Sequence, residues 1–486
     1  MSAMRQMALP ALPWKAIRPR PRWRESALLG LLAVTLFIGS ASLGATERAL
    51  TGHFPTLTPA DPRGLALYLG MLLAVHVAQI LAGRRTDQLL LPAVGMLGGI
   101  GLLLMQRLPQ DLVTQTILGR TLTLAQLQLA WLVLALAVVG GLAVAVRSDS
   151  WLRLYKYTWA AAGIALLLLT LVLGVDVNGA RLSLRLGPLT GQPSEVLKVI
   201  LVIFLAGYLS ENRPLLVEQD TRFGPLRLPP LPYLAPMVAM WAVALGIVVI
   251  QRDLGAALLF FAVFLLLLYV GTGRASAVVL GLLLFVAGSV LMYQLVPHVR
   301  TRVDIWLDPF ATASGAGYQV VQALHAFARG GIVGTGLGAG LPLVGGSLPI
   351  PELHTDFPFA ALGEELGLAG ILAILGCYLV VIERGLRIAA AAADEFRAIL
   401  AAGLSLVVGV QAFIIAAGNL KLIPLTGITL PFISYGGSSL LTNAVVVGLL
   451  LAISDKGVEP PPPPRPPRRL SPRRLTGRLL ERIADR

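Results

Sequence analysis

From about residue 27 to residue 453 the chain repeats one pattern: a long apolar run, a short connector, another apolar run. A helix needs about 20 such residues to cross a bilayer. Twelve runs meet that length, near 27–45, 64–82, 88–105, 124–146, 157–175, 194–210, 233–250, 254–271, 276–296, 359–382, 398–417 and 430–453. The first has a basic lead and small residues at Gly39-Ser40-Ala41-Ser42, as a signal peptide would. Its apolar core is too long for one and further spans follow, so a signal-anchor helix is expected.

Composition agrees with lipid as the solvent. Of 486 residues, 56% are hydrophobic and 13% charged, against roughly 25% charged in soluble domains. The net charge of +14 is concentrated at the ends. Residues 1–26 hold six Lys or Arg and one Glu, and residues 456–486 hold nine against three acids. Basic arms flanking a membrane bundle point to the cytoplasmic leaflet and its lipids, not to nucleic acid. An even span count puts both termini on one side, and the positive-inside rule makes that side cytoplasmic. The connectors Gly83-Arg84-Arg85, Arg147 to Lys156, Glu211 to Arg227 and Glu383 to Arg397 then face the cytoplasm as well. Segments 176–193, 297–358 and 418–429 face outward. The single cysteine, Cys377, lies in an apolar run and allows neither a disulfide framework nor a cysteine metal site.

The segment 297–358 is too long for a passive link. It is glycine-rich yet keeps apolar residues throughout, so a packed, partly re-entrant structure at the bundle mouth is expected, where irregular backbone is shielded. The tail beyond Gly457, with prolines at 460–464, reads as an extended linker to a basic segment.

Four segments place polar chemistry among the spans. In Gln192-Pro193-Ser194-Glu195-Val196-Leu197-Lys198, Glu195 and Lys198 share one helix face. They can hold a phosphate near a helix N-terminus or simply tie two helices together. In Glu352-Leu353-His354-Thr355-Asp356-Phe357, Asp356 precedes an apolar helix. It can be a helix cap, or a general base raised in pKa by burial, with His354 beside it. Glu364 and Glu365 lie inside a span, and structural pairing is the favoured reading of both. Finally, Pro424, Pro431 and Gly436-Gly437-Ser438-Ser439 bracket a broken helix that marks a bend near a cavity.

These segments, with Gln251 to Gly255, Gly317-Tyr318-Gln319 and Gln322, follow one another as in the SEDS family (shape, elongation, division and sporulation) of RodA-, FtsW- and SpoVE-like proteins, which the chain resembles from about 176 to 453. The resemblance implies an all-α polytopic integral membrane protein with about ten core spans. Two further N-terminal spans and a large extracytoplasmic loop would complete it. The divisions would be a basic arm (1–26), N-terminal helices (27–155), a catalytic core (156–453) and a Pro/Arg-rich tail (454–486). It implies an inverting peptidoglycan glycosyltransferase that takes lipid II from its undecaprenyl-diphosphate carrier, with a lean toward a RodA-like role. Asp356 would be catalytic, with Lys198, Glu195, His354, Thr355 and Ser438 lining the substrate cavity. A class B penicillin-binding protein would be the partner. The family's Arg-Trp pair reads Leu182-Ser183 here, so Arg181 or Arg185 would supply its charge. A Mg or Mn ion suits carboxylates with phosphates, but no motif demands one. A lipid-linked-sugar flippase or a non-catalytic scaffold are the alternatives.

Overall fold

The computed structural model describes residues 19–455 apart from 51, 53–55, 57, 118, 178–179, 187–188, 219–220, 224–225, 229 and 341–347. Twelve of its helices are long and apolar enough to cross a membrane. In chain order the helices are α1 (Trp23–Leu50), α2 (Pro62–Leu81), α3 (Leu90–Arg107), α4 (Leu124–Ala145), the short α5 (Ser150–Leu154), α6 (Lys156–Leu173), α7 (Pro193–Glu218), α8 (Leu231–Ile250), α9 (Leu254–Thr272) and α10 (Ala275–Leu295). Then come α11 (Pro297–Leu307), α12 (Tyr318–Gly330), α13 (Pro358–Ala390), α14 (Glu395–Asn419) and α15 (Gly437–Ser454). Three small antiparallel sheets decorate the connectors: β1 (Gln115–Ile117) with β2 (Arg120–Leu122), a three-stranded one of β3 (Val175–Val177), β4 (Ala180–Leu186) and β5 (Leu189–Gly191), and β6 (Thr221–Phe223) with β7 (Leu226–Leu228).

The expected spans are found, several of them longer than expected, as in α1 and α7, and one of them starting late. The eleventh connector does not turn helical at 430: residues 420–436 are irregular, and α15 begins only at Gly437. Pro424 and Pro431 cannot continue an α-helix, which explains the delay. The tenth span also runs past 382, to Ala390. The tail beyond 455 lies outside the described residues.

Burial sorts the helices by position. α7, α3 and α14 are mostly enclosed, whereas only 6% of the α10 span is buried. An apolar helix bare on nearly every face belongs against lipid. At one end of the bundle, charged pairs join distant connectors. Arg84 Nη1 lies 2.6 Å from Asp455 Oδ2, Arg384 Nε donates to Asp87 at 2.8 Å, and Arg397 Nε donates to Asp149 at 3.0 Å. Both ends of the described chain lie here.

At the other end the glycine-rich segment packs into the bundle as predicted. After α12 it reaches α13 where that helix breaks at Gly367, whose φ is 66°. Helical hydrogen bonds lost at the break are replaced by loop bonds. The amides of Thr335 and Gly336 donate to the carbonyls of Glu364 and Glu365, and those of Leu368 and Ala369 donate to Gly331 and Ile332. Backbone groups left unpaired at such depth would cost several kcal/mol each. The two acids of this turn pair as expected: Glu364 accepts from Arg329 at 2.9 Å, and Glu365 from Arg107 at 3.1 Å and the Gly338 amide at 3.0 Å.

Only glycine fits at the break. A Cβ on Gly367 would stand 2.3 Å from the Gly334 nitrogen, and its φ disfavours any other residue. Gly376, in the same helix, has open space there. Gly367→Ala should therefore lower the detergent melting temperature by an amount reflecting at least about 1–3 kcal/mol of backbone strain, while Gly376→Ala leaves it unchanged or raises it. Thermal unfolding of the two variants side by side checks this.

Candidate active site

At the glycine-loop end of the bundle, residues 352–357 form a tight turn ahead of α13. Glu352 adopts φ 55°, and its carbonyl accepts from the amides of Thr355 and Asp356 at 3.1 and 2.9 Å. Phe357 is fully buried and anchors the turn in the apolar core. Three successive carbonyls of this turn are then held from the 419–435 stretch. The Tyr435 amide donates to His354 at 2.8 Å, Ser434 Oγ to Thr355 at 2.6 Å, and Asn419 Nδ2 to Asp356 at 3.0 Å. The turn that carries Asp356 is thus fixed by three separate donors, none of which takes its carboxyl.

Arg302, on α11, is the cation of this site. Its Nη1 donates to the carbonyls of Leu425 and Thr426 at 3.1 and 3.0 Å. A Cβ on Gly427 would lie 3.4 Å from Asp356 Oδ2 and 3.9 Å from Arg302 Nη2, so carboxylate and guanidinium flank one bare glycine. That glycine has φ 69°, which keeps the position free of a side chain. Burial, and then the nearby Glu352 charge, push Asp356 up to about 6, against the smaller opposing pull of the Thr355 hydroxyl and Arg302. Burial lowers the pKa of His354, favouring a neutral imidazole.

Deeper in the bundle is a second polar centre. Lys198 is 2% exposed, and its ammonium donates to Glu195 Oε2 at 2.6 Å, Gln411 Oε1 at 2.7 Å and Asn443 Oδ1 at 3.2 Å. An ammonium has three donors, and all three are used. Thr429 Oγ1 reaches Glu195 Oε1 at 3.5 Å and Ser439 Oγ at 2.7 Å. The knot joins α7, α14 and α15 to the irregular stretch that holds the Asp356 turn. Beside it Asp253 caps α9 through the Ala256 amide and accepts from Gln192 and Ser194 at 3.1 and 3.0 Å.

The residues named from the sequence therefore divide. Asp356, His354 and Thr355 share the turn with Glu352, and Glu195 and Lys198 form the inner knot. Thr355 Oγ1 donates back to the Glu352 carbonyl at 3.2 Å. His354 is buried beside the Tyr435 ring, and its Nδ1 has no partner among the described residues. Ser438 is half-buried, and it is the neighbouring Ser439 that enters the network. Arg185 is exposed on β4, paired in register with Thr190; the side chain of Arg181 lies outside the described residues. No group of three or more His, Cys, Asp or Glu is arranged to hold a metal ion among the described residues. The Glu195 carboxylate is taken by Lys198 and Thr429, so no step below passes through a metal. Sequence reasoning missed Arg302, Asn419, Gln411 and Asn443.

A helical bundle with a raised carboxyl and a guanidinium at one mouth, opposite both ends of the described chain, is a polytopic membrane protein with a polar site at that mouth. The FtsW, RodA and SpoVE model, described as cell cycle protein, matches residues 28–458, and the chain belongs to this family. The peptidoglycan glycosyltransferase RodA of Mycobacterium tuberculosis H37Rv is 42% identical over 472 residues, covering 96% of this chain and 98% of that protein. Among solved structures, a chain of a peptidoglycan synthase complex that coordinates polymerization and crosslinking superposes with a TM-score of 0.60 at 26% identity, covering 76% of this chain and 98% of its own. The rod shape determining protein RodA of Thermus thermophilus shares the fold, with a TM-score of 0.53 at 24% identity over 76% of this chain and 97% of its own.

The inner knot carries its own test. Lys198→Met removes the charge that satisfies a buried carboxylate, and breaking a buried pair costs about 3–5 kcal/mol. The variant should melt well below wild type in detergent with no substrate added. An unchanged melting temperature would show the knot is not structural.

Proposed function

We propose that the chain builds glycan strands from lipid II on the outer face of the bacterial plasma membrane, with Asp356 as general base. Peptidoglycan glycosyl transfer is the activity named for its relatives, and the flippase and scaffold alternatives are not favoured. The observation that carries the residue assignment is the single cell around Gly427, where a carboxylate of raised pKa and a guanidinium face the same space.

In the reaction, the acceptor sugar's 4-hydroxyl oxygen attacks the donor's anomeric carbon. Asp356 takes the hydroxyl proton as the new carbon–oxygen bond forms. The bond to the undecaprenyl diphosphate breaks on the opposite side, and the diphosphate leaves with the electron pair. In-line attack inverts the α-linked donor to a β-linked product. Charge developing on the diphosphate needs a fixed cation. Lys198 is committed to protein acceptors, so Arg302 is assigned that task, while Lys198 and Glu195 hold α7, α14 and α15 together. Both termini would then be cytoplasmic, and a class B penicillin-binding protein would act on the emerging strand.

Asp356→Asn tests the base directly. Asn419 holds the main-chain carbonyl of residue 356, not its carboxyl, so the turn survives the substitution. Strand synthesis from labelled lipid II, with partner transpeptidase added, should fall at least ~10²-fold, with melting temperature and lipid II binding little changed. Strands at wild-type yield would remove Asp356 from catalysis.

The pH profile gives a second, two-sided check. The base works deprotonated, so kcat/KM should fall as pH drops through about 6. Arg302 lowers the Asp356 pKa and Glu352 raises it. Arg302→Gln should therefore move the acidic limb to higher pH, and Glu352→Gln should move it to lower pH. Limbs that stay put in both variants would mean that another group titrates.

A further inference from the structure

At the end of the bundle opposite Asp356, a cavity of about 550 Å³ opens between α1, the α2–α3 turn and the ends of α13 and α15. Four arginines line it: Arg24 at the start of α1, Arg85 in the turn, and Arg384 and Arg387 on α13. Asp87 is its one acid among the described residues, and that carboxylate is already used. Its Oδ2 accepts from Arg384, while its Oδ1 accepts from the Leu89 and Leu90 amides at 2.9 and 3.2 Å. Among the described residues Arg387 has only an exposed pairing with Glu383, a type of contact that contributes little. Arg24 and Arg85 are exposed, and their guanidinium groups have no hydrogen-bond or ion-pair partner among the described residues. The chain cannot supply the missing anion from its N-terminal arm, since residues 1–18 hold three cations and no acid.

The cavity wall is rigid. Arg22 is buried and donates to the carbonyls of Thr86 and Asp87, the Asp87 amide donates to the Ser454 hydroxyl, and the Arg85 amide donates to Asp455. Arg85 is thus presented on a backbone fixed from two sides. Guanidinium forks match phosphate oxygens two at a time. The location is where span ends meet the headgroup layer, and the Ile388 side of the cavity is apolar. Basic pockets between spans at a membrane surface suit anionic headgroups.

We propose that this cavity binds the phosphate of an anionic phospholipid, with Arg24 and Arg85 as its principal ligands. Bound there, the lipid links the first helix to the ends of α13 and α15. The proposal rests on the membrane-spanning fold and not on the glycosyl-transfer reading, so either can fail alone.

The full chain in neutral detergent, titrated with phosphatidylglycerol and followed by native mass spectrometry, tests it. The variant Arg24→Gln/Arg85→Gln should need at least about tenfold more lipid for half-occupancy. The control Arg120→Gln/Arg147→Gln, which also loses two exposed charges, should match wild type. Arg24→Lys/Arg85→Lys, which keeps charge but not the fork, should fall between. Equal losses in control and test variants, or no loss in either, would overturn the site. Titration with inorganic phosphate separates the sources: if it fills the site as well as the lipid does, the lipid assignment is overturned. Phosphatidylcholine should not compete.

Discussion

Three neighbouring carbonyl groups, those of His354, Thr355 and Asp356, are the joint on which this structure turns. Each is claimed by a different donor from the 419–435 stretch. Irregular backbone at the mouth of a membrane bundle survives only if its polar groups are paired. The pairing does two things at once. It closes the bundle between α13 and α14–α15, and it fixes the one acid that faces Gly427. The Ser434 hydroxyl illustrates the economy of the arrangement, since it accepts from the Leu430 amide while donating to Thr355. Rearranging the broken-helix stretch would therefore move Asp356.

The inner knot extends that joint downward. Lys198, Glu195, Gln411 and Asn443 come from three helices, and Thr429 connects them to the same irregular stretch. A buried ion pair is seldom a source of net stability. Here its polar partners fill every donor of the ammonium, so its effect is to set how three apolar helices register against one another. Leucine against leucine would leave that register poorly defined, because lipid competes equally for apolar surface.

Much of this was legible beforehand, and what was not has a physical reason. Span positions followed from run length, because a bilayer imposes one length on every crossing helix. The start of α15 was read seven residues early because 430–436 is as apolar as a span, although Pro431 and the glycine pair break it. Asp356 could be singled out as a carboxylate at a loop–helix boundary, but its two readings, cap or base, differ only in what surrounds the side chain. Arg302 was passed over as one of several loop cations. A signal did exist, since Arg300 and Arg302 place positive charge in a segment expected to face outward, where the positive-inside rule disfavours it. Gln411, Asn419 and Asn443 also stood out as amides within or at the ends of apolar spans, a class that usually marks interior polar contacts. What no sequence pattern supplied was which of them meet.

The break at Gly367 has a consequence for how the molecule comes apart. Four main-chain hydrogen bonds run between the glycine-rich segment and the broken turn of α13, and the two acids of that turn are held by Arg329 and by Arg107 of α3. Neither partner can loosen without stranding the other's polar groups in a poorly hydrated place. Loop and helix should therefore behave as a single cooperative unit, with these amides exchanging hydrogen only when the bundle itself opens. Glycine-rich backbone at residues 331–336 would then be among the most protected parts of the described chain.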